Sequence, residues 1–249
     1  MSSFVLKLIA AVSMLCDHAC LILFSGVPEL RVIGRLAFPL YAFCIAEGFR
    51  HTRNRVRYFL RIFVLGVLCQ IVFFIAEREM YLGILITFSF SILLMALVDS
   101  VKTAFRGEKS ALAALVERIS GKAPSGTADR ILSGSLTVLF TVFLWFFTSL
   151  VEVDYGFFGI LVPVFADLFD DRIPRFLSFS CCVLAVAVAL SDASSHSWMN
   201  IPLQYWSLAA LPFVFLYNGK PGKVRMKYFF YIFYPAHFVI LYGISMLLR

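Results

Sequence analysis

FVLKLIAAVSMLCDHACLILF, from Phe4 to Phe24, is the stretch that decides the fold. It is apolar and as long as the roughly 20 residues a helix needs to cross a bilayer. An adjacent ionisable pair, Asp17 and His18, interrupts it, and Lys7 lies near its start. Such groups are costly at membrane depth, so they face a bundle interior or a cavity and have partners or a task there. A histidine that merely hydrogen-bonds a neighbouring helix is the structural alternative. The adjacent carboxylate and the further intramembrane charges weigh against it.

Working outward, 61% hydrophobic residues, 15% charged residues and a mean hydropathy of +0.89 exclude a soluble domain. The chain reads as an all-α, polytopic transmembrane bundle forming a single domain over 1–249. Hydropathy marks nine candidate spans, at about 4–25, 32–49, 58–76, 80–98, 132–151, 155–169, 176–190, 201–217 and 228–248. The first lacks a basic leader and a small-residue cleavage site, so it reads as a retained span and not a signal peptide.

The net charge of +7 points away from nucleic acid, because the cations sit in alternate loops. Arg50, Arg53, Arg55 and Arg57 follow the second span, and Lys102, Arg106, Lys109, Arg118, Lys122 and Arg130 the fourth. Arg172 and Arg175 follow the sixth, and Lys220, Lys223, Arg225 and Lys227 the eighth. The opposite loops hold Arg31 and Arg78 among Glu29, Glu77, Glu79, Glu152, Asp154 and Asp192. Positive charge accumulates on the cytoplasmic side, which puts the N-terminus in the cytoplasm and the C-terminus outside. The basic loops also suit anionic membrane lipids.

The six cysteines, Cys16, Cys20, Cys44, Cys69, Cys181 and Cys182, fall in apolar segments without a Cys-x-x-Cys pair. They read as small buried apolar residues, with no metal site and no disulfide framework. The loop 100–131 contains EKSALAALVERIS, where Ala111, Leu112, Leu115, Val116 and Ile119 recur at helical spacing. This predicts a short helix lying on the inner leaflet, followed by a flexible linker, GKAPSGTADR. No internal repeat supports an inverted-repeat transporter.

Helical rise places His18 roughly 10 Å from the outer end of its span and puts Lys7 on the same face about 16 Å away. That face would line a route from the cytoplasmic surface to the outer half of the membrane. Adjacent helical residues point about 100° apart, so Asp17 orients a group other than His18, with Arg35 the best placed. Glu47 and Arg61 lie at similar depth near the cytoplasmic ends of neighbouring spans, as a structural ion pair or as a grip on an anionic ligand. Arg53, Arg57 and Arg61 at i, i+4 and i+8 would share one face if helical, a guanidinium row suited to phosphate. His237 lies about mid-membrane, two residues after Pro235, beside Tyr234; the proline and histidine together suggest a cavity wall.

LKLIAAVSMLCDH, IGRLAFPLYAFCIAEGFRHTRNRVRYFLR, DYGFFGILVPV, LAALPFVFLYNGKPG and KYFFYIFYPAHFVILY together resemble, in order and spacing, the TraX family. Its members are inner-membrane proteins of conjugative plasmids that acetylate the N-terminus of F-type pilin, and the family is similar to the wider transmembrane acyltransferases. The resemblance implies that His18 and Asp17 match the first-span histidine and its preceding acid, Arg35 the GRLAFP arginine, and Glu47 the acid of AEGF. It likewise sets Arg53, Arg57 and Arg61 in the arginine-rich turn and matches His237 to the YPxH histidine.

On this basis the expected activity is acyl transfer from cytoplasmic acetyl-CoA to an acceptor at the outer side of a bacterial cytoplasmic membrane. The expected acceptor is the N-terminal amine of a pilin-like peptide. His18 would be the general base, since a neutral imidazole is available near neutral pH. Arg35 would stabilise developing negative charge or orient Asp17. Arg53, Arg57 and Arg61 would hold the CoA phosphates, and Lys7 the pantetheine path. O-acetylation of a surface polysaccharide, a non-enzymatic transporter and a pilus-assembly scaffold remain as alternatives, and no oligomeric state is specified.

Overall fold

The computed structural model describes residues 1–24, 26–78, 81–191, 201–222 and 227–248. Glu79, Asp192, Lys223 and Arg225, named above among the loop charges, lie outside the described residues, as do the side chains of Glu77 and Lys227. The described chain is helical, apart from an isolated bridge between Leu82 and Val153. Among the described residues six helices are long and apolar enough to cross a membrane, so this is a polytopic helical membrane protein.

Of the other three expected spans, two are shorter apolar pieces, Gly156–Asp167 and Leu203–Phe215, while the last is the 22-residue helix Lys227–Leu248. The physical reasons are local. The helix at Gly156–Asp167 has 12 residues, about 18 Å, well under a bilayer core. Left-handed backbone at Tyr155 and Gly156 starts it, and it carries Pro163 in its interior. The 201–217 segment is divided by Pro212: Leu203–Ala210 winds as a 3-10 helix and Leu211–Phe215 as a short α-helix.

The chain divides into two compact units, one made of Met1–Arg50 with Phe169–Arg249, the other of His51–Leu168. In the first unit α1 (Ser3–Ile22) packs against α2 (Pro28–Gly34) and α11 (Lys227–Leu248). The 3-10 helix packs on α9 (Arg172–Ala189), α10 (Leu211–Phe215) and α2. The Ser2 hydroxyl caps α1 by accepting from Val5 N–H, and the first-turn Ser3 and Phe4 amides, which have no partner within the helix, donate to the Lys220 and Pro221 carbonyls. α3 (Ala37–His51) is joined to α9 by Phe43 packed edge-on to Phe179, ring centroids 5.6 Å apart.

In the second unit α5 (Ile84–Phe105) touches α4 (Arg55–Glu77), α7 (Gly126–Leu150) and α8 (Gly156–Asp167). Its hydroxyls satisfy themselves on backbone: Ser89 donates to Leu85 O at 2.8 Å, and Ser91 to Thr87 O and to Ile160 O of α8 at 2.8 Å. In a medium without water such pairing lets polar residues pack at low cost. Arg55 pairs with Asp99 at 2.5 Å across α4 and α5. At the opposite end Tyr81 donates to Asp154 Oδ1 at 2.9 Å. Burial first, and then the Asp154 carboxylate, push the Tyr81 phenol well above its ordinary range, so it stays a donor.

The helix expected within loop 100–131 is present as α6 (Ala111–Ser120), capped by the Ser110 hydroxyl on Ala113 N–H and closed by left-handed Gly121. Leu115 and Ile119 on its apolar stripe are exposed. The linker predicted over GKAPSGTADR is half helix instead. Ser125 caps α7, and Asp129, buried in its first turn, accepts from Ser110 N–H at 3.1 Å and from the Ser110 and Ser133 hydroxyls. Those bonds tie α6 to α7 and leave residues 121–125 as the connection.

Candidate active site

α1 presents Asp17 and His18 to different neighbours, as the 100° step between adjacent helical residues requires. Asp17 faces α2. Both of its carboxylate oxygens lie 2.7 Å from Arg35 Nη2, and Oδ1 lies 3.1 Å from Arg31 Nε. The helices can approach this closely because Gly34 has no side chain; a Cβ there would lie 2.4 Å from Asp17 Cβ. Arg35 Nη1 also donates to Gln204 Oε1 of the 3-10 helix at 3.4 Å. Two guanidiniums against one carboxylate leave this cluster with excess positive charge.

His18 faces α11. Its Nδ1 lies 2.8 Å from His237 Nε2, and His237 Nδ1 lies 2.9 Å from the Phe233 carbonyl oxygen. A carbonyl only accepts, so His237 Nδ1 carries the proton in that bond. With both rings neutral, His237 Nε2 is then the acceptor and His18 Nδ1–H the donor. The relay leaves the lone pair of His18 Nε2 unprotonated, the state a general base needs. His237 is 2% exposed, and the pair is packed by aromatic rings: Phe238 at 4.3 Å from the His18 centroid, Phe233 at 5.3 Å and Tyr234 at 5.8 Å from that of His237. Pro235, two residues before His237, lies inside α11.

A second buried cluster lies on α3 and α9. Glu47, 6% exposed, pairs with Arg175 at 2.5 Å and accepts from Tyr217 Oη at 2.7 Å. The Arg175 guanidinium stacks over the Phe43 ring at 4.8 Å. The partner expected for Glu47, Arg61, belongs to the other unit, where it is exposed on α4. Arg57 is exposed on the same helix, one turn earlier. Arg53 is not helical: it precedes the cap Asn54, whose side chain accepts from Arg57 N–H at 2.9 Å, so the expected three-arginine row is a pair with Arg53 in the turn before it. Lys7 is half-buried on α1 and within electrostatic range of Cys44 on α3.

The structure thus brings Asp17 together with Arg35, and His18 together with His237 and Tyr234. Sequence reasoning missed Arg31, Gln204, Arg175 and Tyr217. Arg31 was findable, since it precedes Arg35 by one helical turn. Gln204 and Tyr217 carried only the weaker signal of polar groups in an apolar stretch.

A helical membrane protein with a tautomer-fixing histidine pair beside a carboxylate–diarginine cluster is the class these features define. The family model described as TraX protein matches residues 2–245, nearly the whole chain. The chain belongs to the TraX protein family. It is also 27% identical over 260 residues to a probable fimbrial assembly protein FimC, serogroup H1, of Dichelobacter nodosus, covering 100% of this chain and 97% of the relative. No solved structure matches it.

Proposed function

We propose that this protein is an acyl-CoA-dependent acyltransferase that moves an acetyl group from cytoplasmic acetyl-CoA to an acceptor at the outer side of the membrane. The observation that carries this reading is the relay from His18 Nδ1 through His237 to the Phe233 carbonyl, because it holds His18 Nε2 bare of a proton. In the reaction the acceptor nitrogen attacks the thioester carbonyl carbon while His18 Nε2 takes the amine proton. The carbon–sulfur bond breaks, and the proton passes to the departing CoA sulfur. The positive excess of Arg31 and Arg35 over Asp17, next along α1, favours the negative charge that develops on the acyl oxygen.

The exposed Arg57 and Arg61, with Arg53 in the turn before them, are the candidate partners of the CoA phosphates. A cytoplasmic donor requires a membrane that borders the cytoplasm, which supports the bacterial inner membrane. The name of the Dichelobacter nodosus relative, a probable fimbrial assembly protein, supports a pilus-related role, for which a pilin-like peptide is the proposed acceptor.

The test is acetyl transfer by the purified full-length protein in lipid nanodiscs, offered a peptide with a free N-terminus or a hydroxyl-bearing polysaccharide. Transfer to the peptide amine supports the reading. Transfer to the glycan alone moves the acceptor, and transfer to neither, with no acetyl-CoA hydrolysis, rejects it.

A further inference from the structure

The 3-10 helix Leu203–Ala210 carries buried polar atoms that nothing among the described residues satisfies. Gln204 is 7% exposed and Ser207 1% exposed, yet Gln204 Nε2 and Ser207 Oγ are both without a hydrogen-bond partner. Trp206 Nε1, elsewhere on the helix, is in the same condition. A buried polar group left unpaired costs about 1–3 kcal/mol, and native structures tolerate few of them without a ligand or a water to fill the place.

The pattern is ordered. A 3-10 helix has three residues per turn, so Gln204, Ser207 and Ala210, all buried, stack along one face. The orientation of the Gln204 amide follows from its partner: its Oε1 accepts from Arg35 Nη1, which leaves the Nε2 donors as the orphaned end. That face therefore offers an amide N–H and a hydroxyl, both neutral, next to the guanidinium paired with Asp17. Two neutral donors suit the two lone pairs of a carbonyl oxygen. A phosphate would call for cations on the face itself, and Gln204, Ser207 and Ala210 supply none.

We propose that this helix is a carbonyl-binding wall of the acyl-transfer site, with Gln204 Nε2 and Ser207 Oγ donating to one carbonyl oxygen of a bound substrate. The assignment rests on the acyltransferase reading for the identity of that substrate, and three carbonyls share the chemistry: the thioester of acetyl-CoA, an amide of its pantetheine arm, and the amide of an acetylated acceptor.

The test measures equilibrium binding, by ligand-induced shifts in thermal unfolding of the full-length protein in nanodiscs, for acetyl-CoA, CoA and an N-acetyl amino-acid amide. Ser207→Ala removes only the hydroxyl. Gln204→Glu keeps an acceptor for Arg35 and loses the donor. Each should weaken at least one probe about three- to tenfold, the net worth of one hydrogen bond. Loss on acetyl-CoA but not CoA identifies the thioester, loss on both the pantetheine amide, and loss on the acetylated amide alone the acceptor.

Without ligand, Ser207→Ala should melt no lower than the wild type, because an unpaired buried hydroxyl contributes nothing favourable. If both variants bind all three probes as the wild type does, the wall holds at most water and the proposal falls. If the wild type binds neither acetyl-CoA nor CoA, the donor reading fails by itself. The wall then stands only if the acetylated amide binds in a Ser207-dependent way, and falls if it does not.

Discussion

His237→Phe isolates the function of the histidine pair from its packing. The phenyl ring is similar in size to imidazole and would sit among Phe233, Tyr234 and Phe238. It cannot accept the His18 Nδ1 proton, now 2.8 Å from His237 Nε2. A neutral hydrogen bond is worth about 0.5–1.5 kcal/mol net, which at 1.4 kcal/mol per tenfold is a roughly two- to twelvefold loss of the productive tautomer. Loss of ring alignment adds to this, so acetyl transfer should fall about 10- to 100-fold, with the KM for acetyl-CoA little changed. His18→Ala, which removes the base itself, should cost on the order of 10²- to 10⁴-fold. His237→Gln can return an acceptor oxygen to the same region and should recover part of the rate lost in the Phe variant. The assay is acetyl transfer by wild-type and variant proteins at matched folded concentration. Full activity in a folded His237→Phe protein, or a Gln variant no better than Phe, would refute the tautomer argument.

Further outcomes follow from other contacts. Gly34→Ala places a Cβ 2.4 Å from Asp17 Cβ, so α1 and α2 must separate and thermal stability in detergent should fall, by about 1–3 kcal/mol as for other overpacked sites; an unchanged melting temperature contradicts the close approach. Changing Arg57 and Arg61 together to Gln should weaken acetyl-CoA binding while leaving the fold intact, with residual affinity that falls as salt is raised; unchanged binding at low ionic strength returns both to a purely topological role. Reporter fusions after Arg57 and after Lys227 should read cytoplasm and one after Ser195 outside; a cytoplasmic signal at Ser195 reverses the membrane orientation and with it the vectorial transfer.

Much of the site was legible because intramembrane charge is rare and constrained. Asp17 had to find a cation off the His18 face, and Arg35 was the best placed at its depth; the two are 2.7 Å apart. The pairing of His18 with His237 was not legible, since nothing in either sequence segment reports which of nine apolar stretches pack together. Glu47 shows the same limit. Depth alone matched it with Arg61, while packing through Phe43 gave it Arg175. Hydropathy is also blind to backbone: Pro212 and the 3-10 winding of Leu203–Ala210 divide a segment whose apolar content is ample. The linker after α6 was misjudged for the converse reason. Gly, Ser and Thr in SGTADR looked like a loop, but Ser125 caps α7 and Asp129 in its first turn bonds Ser110 at the start of α6.

The central claim, that this chain transfers acetyl groups with His18 as base, is tested most directly by intact-mass analysis of surface peptides from cells expressing the wild type, cells lacking the gene, and cells expressing His18→Ala. The account predicts one added acetyl group, on the N-terminus of a pilin-like peptide, in the wild type alone, with the His18→Ala protein present and inserted in the membrane. Identical peptide and glycan masses in all three strains, or full acetylation supported by His18→Ala, would contradict it.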